Sequence, residues 1–373
     1  MQMLTQLALC TCLLGIGSEA EPTSPYNHQE LEAVQSGQPF SFWVAGHLYG
    51  SHGNRKSVYP SSSFLTNTYR FDSGEDSLLM LLGDNFRRPD EVQVRQLQRV
   101  LERIPLPVFN AVGNHDKPGT IDFQSAFGTT TYHSFQLGDS RFIVLDTELA
   151  DGKIEGAQYE FFLAEIQRCL KDEAVKNVFL FAHRLIWCTD HPEMSKIKPY
   201  INSAKYLRDD WYVEKIEPHI DLLAKENKSI YWFSGDVGAT WSYSLFHWDD
   251  PNRPVHYTAT GLGDTARDMM LRVHVDAESN VRIEPVSTTD AEAMDIADFG
   301  VDHWKEYFAK QPVATTPAPR APTNVSKKVT VTPLQLVIGA AAIVVLFRTL
   351  YWLGSIGWSQ YKRFRSKWFP RTD

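Results

Sequence analysis

The stretch VFNAVGNHD, Val108 to Asp116, is a short apolar run that stops at Gly113 and then presents three polar side chains in succession. A strand buried on both faces stays apolar from end to end, so an ending of this kind needs a reason outside packing. The same pattern recurs along the chain. FSFWVAGH (Phe40 to His47) ends in Gly-His, SLLMLLGDN (Ser77 to Asn85) in Gly-Asp-Asn, NVFLFAHR (Asn177 to Arg184) in Ala-His-Arg, and SIYWFSGDVGA (Ser229 to Ala239) in Gly-Asp. Each of the five runs delivers a side chain able to bind a metal. Strands of open α/β sheets carry their ligands at the carboxyl ends, so these strands stop because their ends form a site.

The segments between them read as helices and a hairpin. PDEVQVRQLQRVLERI spaces Val94, Leu97, Leu101 and Ile104 as one helical face behind Pro89 and an acidic start. YHSFQLGDSRFIVLDTE alternates on both sides of Gly138-Asp139-Ser140, the pattern of a hairpin. GAQYEFFLAEIQRCLKD is a second amphipathic helix. The alternation of strand and helix predicts an α/β domain over residues 38–300.

The strand ends offer His47, Asp84, Asn114, His183 and Asp236: two imidazoles, two carboxylates and one amide. That set suits Mn, Fe or Zn better than Ca or Mg, which favour all-oxygen shells. No pair sits at a close ligand spacing on one helix, so the set has to be assembled in space.

The order of these runs resembles the calcineurin-like metallophosphoesterase family. Its signature runs Asp-x-His, Gly-Asp-x-x-Asp, Gly-Asn-His-Asp/Glu, a lone His after a strand, and Gly-His-x-His. Here GNHD (Gly113 to Asp116) matches fully, LLGDNFR matches through Gly83-Asp84, and FLFAHRLIW matches the lone-His strand. YTATGLGD (Tyr257 to Asp264) is similar to the Gly-rich strand that closes many such domains. The resemblance covers residues 38 to 290 and implies two packed β-sheets flanked by helices on both outer faces.

The resemblance also implies a ligand set, with departures. Asp84 would bridge two ions. Asn114, His183 and Asp236 would complete one of them, with Asp236 standing where the family has histidine. The other would keep only His47 and Asp84, because Ala45 and Gly238 stand at two further ligand positions. The site is thus degenerate: it implies one divalent transition metal (Mn, Fe or Zn), with a second ion held weakly if at all. His115 would take the role of protonating the leaving group, and Asp116 is carried with it in the catalytic set. Arg87 stands where the family has an acidic residue that orients this histidine. A guanidinium cannot accept the imidazole N–H but binds phosphate oxygens well, so Arg87 is expected to replace part of the missing cation's charge.

Around this core the 373 residues are 43% apolar and 22% charged, the composition of a globular chain. A net charge of -8 and no basic patch before the extreme C-terminus exclude nucleic acid as a partner. MQMLTQLALCTCLLGIGSEA reads as a signal peptide, residues 1–20, cleaved after Ala20. Residues 311–328 are a Pro/Thr-rich stalk, 333–357 an apolar and aromatic run long enough to cross a membrane, and 358–373 a basic tail. Lys362, Arg363, Arg365, Lys367 and Arg371 follow the span, against Lys327 and Lys328 before it, which predicts a cytosolic tail and an outward- or lumen-facing domain. In such a compartment Cys169 and Cys188 are permitted to pair, and Asn227 and Asn324 lie in glycosylation sequons. Nothing in the sequence specifies an oligomeric state.

Two readings of function follow: a membrane-anchored phosphoesterase acting on a phosphate ester, or a phosphatase-like ectodomain that has lost turnover and serves as a binding or scaffolding module. A third, binding of a sugar or peptide by Trp187, Trp232, Trp241 and Trp248, competes with the plainer expectation that these rings pack in the core.

Overall fold

The computed structural model describes residues 22–51, 59–117, 130–188, 193–201, 209–238, 243–289 and 294–310. The chain divides into two units, residues 1–310 and 311–373. The second unit lies outside the described residues, as do the signal peptide, stalk, 333–357 span and basic tail expected from the sequence. Among the described residues no helix is long and apolar enough to cross a membrane.

The first unit is built on two sheets. One has five strands: β1 (Phe40–Ala45), β2 (Leu79–Leu81), β3 (Val108–Asn110), β10 (Met269–Val275) and β11 (Val281–Ser287), in the order β11-β10-β1-β2-β3. The other has six: β4 (His133–Leu137), β5 (Ser140–Val144), β6 (Asn177–Ala182), β7 (Ser229–Ser234), β8 (Leu245–Asp249) and β9 (Val255–Thr260), in the order β4-β5-β6-β7-β9-β8. β1, β2 and β3 run parallel to one another, and β5, β6, β7 and β9 do the same in the second sheet. β4 and β5 form the hairpin expected at Gly138.

Period-2 alternation decides how the sheets meet. Phe42 of β1 turns inward and its ring stands 5.1 Å from Phe142 and 5.2 Å from Phe179 of the opposite sheet. Phe109 of β3 meets Phe135 of β4 at 4.7 Å. Each such aromatic pair contributes about 0.5–1.5 kcal/mol beyond its buried area, so a phenylalanine seam joins the two sheets.

Helices cover the outer faces. Helix α1 (Glu91–Leu101) is capped by the Asp90 carboxylate, which accepts from Val92 N and Gln93 N, and it buries Val94, Leu97 and Leu101 against the outer face of the first sheet. Ile104, read in the sequence as part of that face, is buried in the turn beyond the helix. Helix α2 (Ala157–Lys171) buries Phe162 and Ile166, and two short helices precede β7, α3 (Asp209–Lys215) and α4 (Glu217–Lys225), burying Tyr212, Ile220 and Leu223. The result is a mixed α/β sandwich, two sheets flanked by helices. Its core also takes in residues outside 38–300. Ser24 donates to the Val108 carbonyl, Leu31 is buried, and Trp304 of α5 (Val301–Lys310) is buried and donates to the Leu245 carbonyl.

Two sequence expectations about side chains resolve in this core. Cys169 and Cys188 are buried and not joined in a disulfide, and the Cys188 thiol donates to the Met194 carbonyl. Trp187 and Trp232 are fully buried and Trp248 stacks on Tyr257, so these rings are packing; Trp241 lies outside the described residues. Asn227 is exposed in the turn after α4, and Asn324 lies outside the described residues.

Candidate metal centre

The ends of β1, β2 and β3 in one sheet and of β6 and β7 in the other meet at one edge of the sandwich. His47 follows β1, Asp84 follows β2, Asn114 to Asp116 follow β3, His183 follows β6 and Asp236 follows β7. The loops after β2 and β3 touch backbone to backbone. A Cβ on Gly113 would stand 2.2 Å from the Asp84 nitrogen, and one on Gly83 would stand 2.6 Å from the Gly113 nitrogen. Only glycine permits that approach, which accounts for the Gly in both Gly-Asp-Asn and Gly-Asn-His-Asp. Asp84 and His47 themselves have positive φ, 53° and 57°. Left-handed backbone at non-glycine residues costs of order 1–3 kcal/mol and concentrates at functional sites.

His183 stands at the centre of the group. Its Nδ1–H donates to the Leu82 carbonyl at 2.7 Å, since a carbonyl oxygen only accepts. Its Nε2 then faces three oxygens: Asn114 Oδ1 at 3.1 Å, Asp84 Oδ1 at 3.3 Å and Asp236 Oδ1 at 3.7 Å. Ligand atoms of Asp84, His183 and Asp236 all lie within 4.8 Å of one another, and the three residues are buried. Ligands held about 2.0–2.2 Å from one ion are roughly 3–4.4 Å apart, so these separations fit a shared cation with little adjustment. The donor set fits as well: a lone pair and three acceptor oxygens converge, and a proton on Nε2 could serve only one of them. The Leu82 carbonyl is the outer partner that fixes the ring's tautomer.

Burial pushes the Asp84 carboxyl well up, opposed in part by the N–H of His115, which donates to Oδ1 at 2.9 Å. Burial also pushes Asp116 up, and the neighbouring Asp84 charge adds to it. Ionised carboxylates at such depth require a compensating cation.

His47 lies beside this group: its Nδ1 donates to the Leu262 carbonyl at 2.8 Å and its Nε2 lies 3.7 Å from Asp84 Oδ2. Tyr49, which no motif or periodicity in the sequence singles out, packs here. Its ring centroid is 4.1 Å from that of His47 and 5.1 Å from that of His115. Burial, then the charges of Asp84 and Asp236, raise its phenol far above the ordinary value, while Arg87 lowers it. Tyr49 is therefore a neutral hydroxyl at the site, near the Arg87 guanidinium.

Asp116 and Arg87, both expected in the catalytic set, make main-chain contacts here. The Asp116 carboxylate is wholly buried and accepts from the main-chain N–H groups of Gly113 (2.8 Å), Asp84 (3.0 Å) and Phe86 (3.0 Å). It ties the loops after β2 and β3 together. Arg87 orients His115 after all, through its backbone: His115 Nδ1–H donates to the Arg87 carbonyl at 2.9 Å. The acidic side chain of the family pattern is thus replaced by a main-chain oxygen, and the half-buried guanidinium makes no ion pair among the described residues.

No family model matches the chain, and no curated protein matches it. Among solved structures, a purple acid phosphatase isolated from yellow lupin (Lupinus luteus) seeds is similar, with a TM-score of 0.45 and 16% identity. The match covers 74% of this chain and 54% of that one, so the chain spans about half the length of the phosphatase. At that score the likeness adds nothing to the assignment of chemistry, which stands on the site's own geometry.

Proposed function

We propose that the chain is a metal-dependent phosphoester hydrolase working with one divalent ion, held by Asp84, Asn114, His183 and Asp236. The observation that supports this most is the convergence of three acceptor oxygens on the Nε2 of His183, whose other nitrogen is already committed. A divalent ion in such a site supplies a Lewis acid for a phosphoryl oxygen and lowers the pKa of a bound water. The chain's own groups divide the remaining work. The Arg87 carbonyl fixes Nδ1–H of His115, leaving Nε2 to hold a proton for the departing oxygen. The Tyr49 hydroxyl, whose ring packs on His47, and the Arg87 guanidinium bind phosphate oxygens. The apolar run at 333–357 and the segment at 1–20 support a membrane-anchored, outward- or lumen-facing placement of this site.

One competing reading is a binding module that keeps an ion and has lost turnover, favoured by Ala45 and Gly238 standing at two ligand positions of the motif series. Hydrolysis of an aryl phosphate by the full-length chain, with manganese and with chelator, separates the two. Metal-dependent turnover that disappears in Asp84→Ala supports the enzyme. Bound metal without turnover assigns the module, and turnover that survives Asp84→Ala overturns the mechanism.

A further inference from the structure

A buried ion pair stands beside the candidate metal group, on the side of β5. Arg184 directly follows His183, and its guanidinium makes a two-pronged pair with Glu148: Nε donates to Oε1 at 2.5 Å, and a terminal nitrogen donates to Oε2. The two side chains are 4% and 5% exposed. Thr147 Oγ1 accepts from Arg184 N at 3.2 Å and donates to Glu148 Oε1 at 3.2 Å, and Glu148 N donates to Asp146 Oδ1 at 2.7 Å. On the side of β7 the Arg184 carbonyl accepts from Ser234 Oγ at 3.3 Å, and the His183 carbonyl accepts from Gly235 N and Asp236 N, both at 2.9 Å. His183-Arg184 is thereby clamped between the ends of β5 and β7. Both charges of the pair reach the candidate ligands: the guanidinium attracts the Asp84 and Asp236 carboxylates, and Glu148 repels Asp84. Replacing a buried ion pair by apolar groups is often neutral or stabilising, so stability alone gives no reason for one here.

We infer that Arg184 and Glu148 are a pair of positioning residues that set the charge of this site: Arg184 weakens its hold on a divalent cation and strengthens its hold on phosphate, and Glu148 offsets both effects. The inference rests on the metal-centre reading of Asp84, Asn114, His183 and Asp236. The carboxylates of Asp84 and Asp236 balance a divalent ion, and Glu148 balances Arg184, so the loaded site is near neutrality before a phosphate arrives. A buried guanidinium in that setting repels the cation and attracts the phosphate dianion, and charges at this depth are screened little by salt. The fork of Arg184 matches the Glu148 carboxylate, which fixes where the positive charge sits. Through the clamped backbone the same pair holds His183 in place.

The test is calorimetric titration of the full-length chain with manganese(II), then of the manganese-loaded chain with inorganic phosphate, at one pH and salt concentration. Glu148→Gln should weaken manganese binding by about tenfold or more and tighten phosphate binding. Arg184→Met should do the reverse on both counts, and Arg184→Lys, which keeps the charge, should bring both affinities back toward the parent's. A pair that only braced the loops would lose manganese in Glu148→Gln and Arg184→Met alike, and that result overturns the inference, as do unchanged affinities in both. Arg184→Met leaves Glu148 buried without its partner; should it fail to fold, Glu148→Gln/Arg184→Met removes both charges together and should bind manganese as the parent does, with weaker binding overturning the inference. A parent chain that binds no manganese overturns the metal-centre reading and this inference with it, whereas a parent that binds the ion while the variants change in the wrong direction overturns this inference alone.

Discussion

The Asp116 carboxylate accepts a hydrogen bond from the main-chain N–H of Asp84 at 3.0 Å, joining the loop after β3 to the loop after β2. Gly113 N and Phe86 N donate to the same carboxylate. Asp116→Ala leaves three buried N–H groups without that acceptor, at about 1–3 kcal/mol each for an unsatisfied donor. Denaturant unfolding should show a loss of at least about 2 kcal/mol, together with weaker metal binding. A variant as stable as the parent would remove Asp116 from its positioning role.

The His115 side chain donates to the Arg87 carbonyl, while its main-chain N–H donates to Asp84 Oδ1, so its imidazole is not in the proposed ligand set. His115→Gln should keep metal content unchanged while kcat for an aryl phosphate falls by about 10²–10⁴. The deficit should grow as the leaving group becomes more basic. A uniform deficit across leaving groups would argue against a proton donor.

The close approach of Gly83 and Gly113 predicts a purely steric effect. Gly113→Ala sets a methyl 2.2 Å from the Asp84 nitrogen and 2.4 Å from its Oδ1. Overpacking of this kind costs about 1–3 kcal/mol, and relief requires Asp84 to move. Thermal unfolding and metal titration of the variant should show both losses.

A buried carboxylate far from the metal sets an acid limit. Burial alone would raise Asp76, but hydrogen bonds from Ser41, Arg272, Trp43 and Ser73 outweigh it and hold the group below its ordinary value. A folded pKa below the unfolded one contributes stability that is present above the unfolded value, about 3.9, and is lost as pH falls through the folded value. Unfolding measured from pH 5 down to pH 2 should show that loss in the parent and a shallower acid dependence in Asp76→Asn.

The strand ends were legible because each combines two local signals, an apolar run and a ligand side chain after a small residue, and the fold brings His47, Asp84, Asn114, His183 and Asp236 to one edge. The two-sheet sandwich was expected from the resemblance of the ordered strand-end motifs to a known family, and the phenylalanines of β1, β5 and β6 pack between the two sheets. Main-chain roles were not. Nothing in the letters Arg87 says that its carbonyl holds His115, or that the carbonyls of Leu82 and Leu262 accept from His183 and His47. Tyr49 was missed because a tyrosine two residues after His47 has no periodic signature, and its contact with His115 joins positions far apart in the chain. The three main-chain donors to Asp116 were not legible, because a motif gives residue types in order and not the direction in which a carboxylate turns.

The most direct test is an anomalous difference map from crystals of the protein grown with zinc, recorded across the zinc edge. A peak about 2.0–2.2 Å from the ligand atoms of Asp84, Asn114, His183 and Asp236 is predicted. A map with no peak among these four side chains, from crystals that carry zinc elsewhere, would contradict the account.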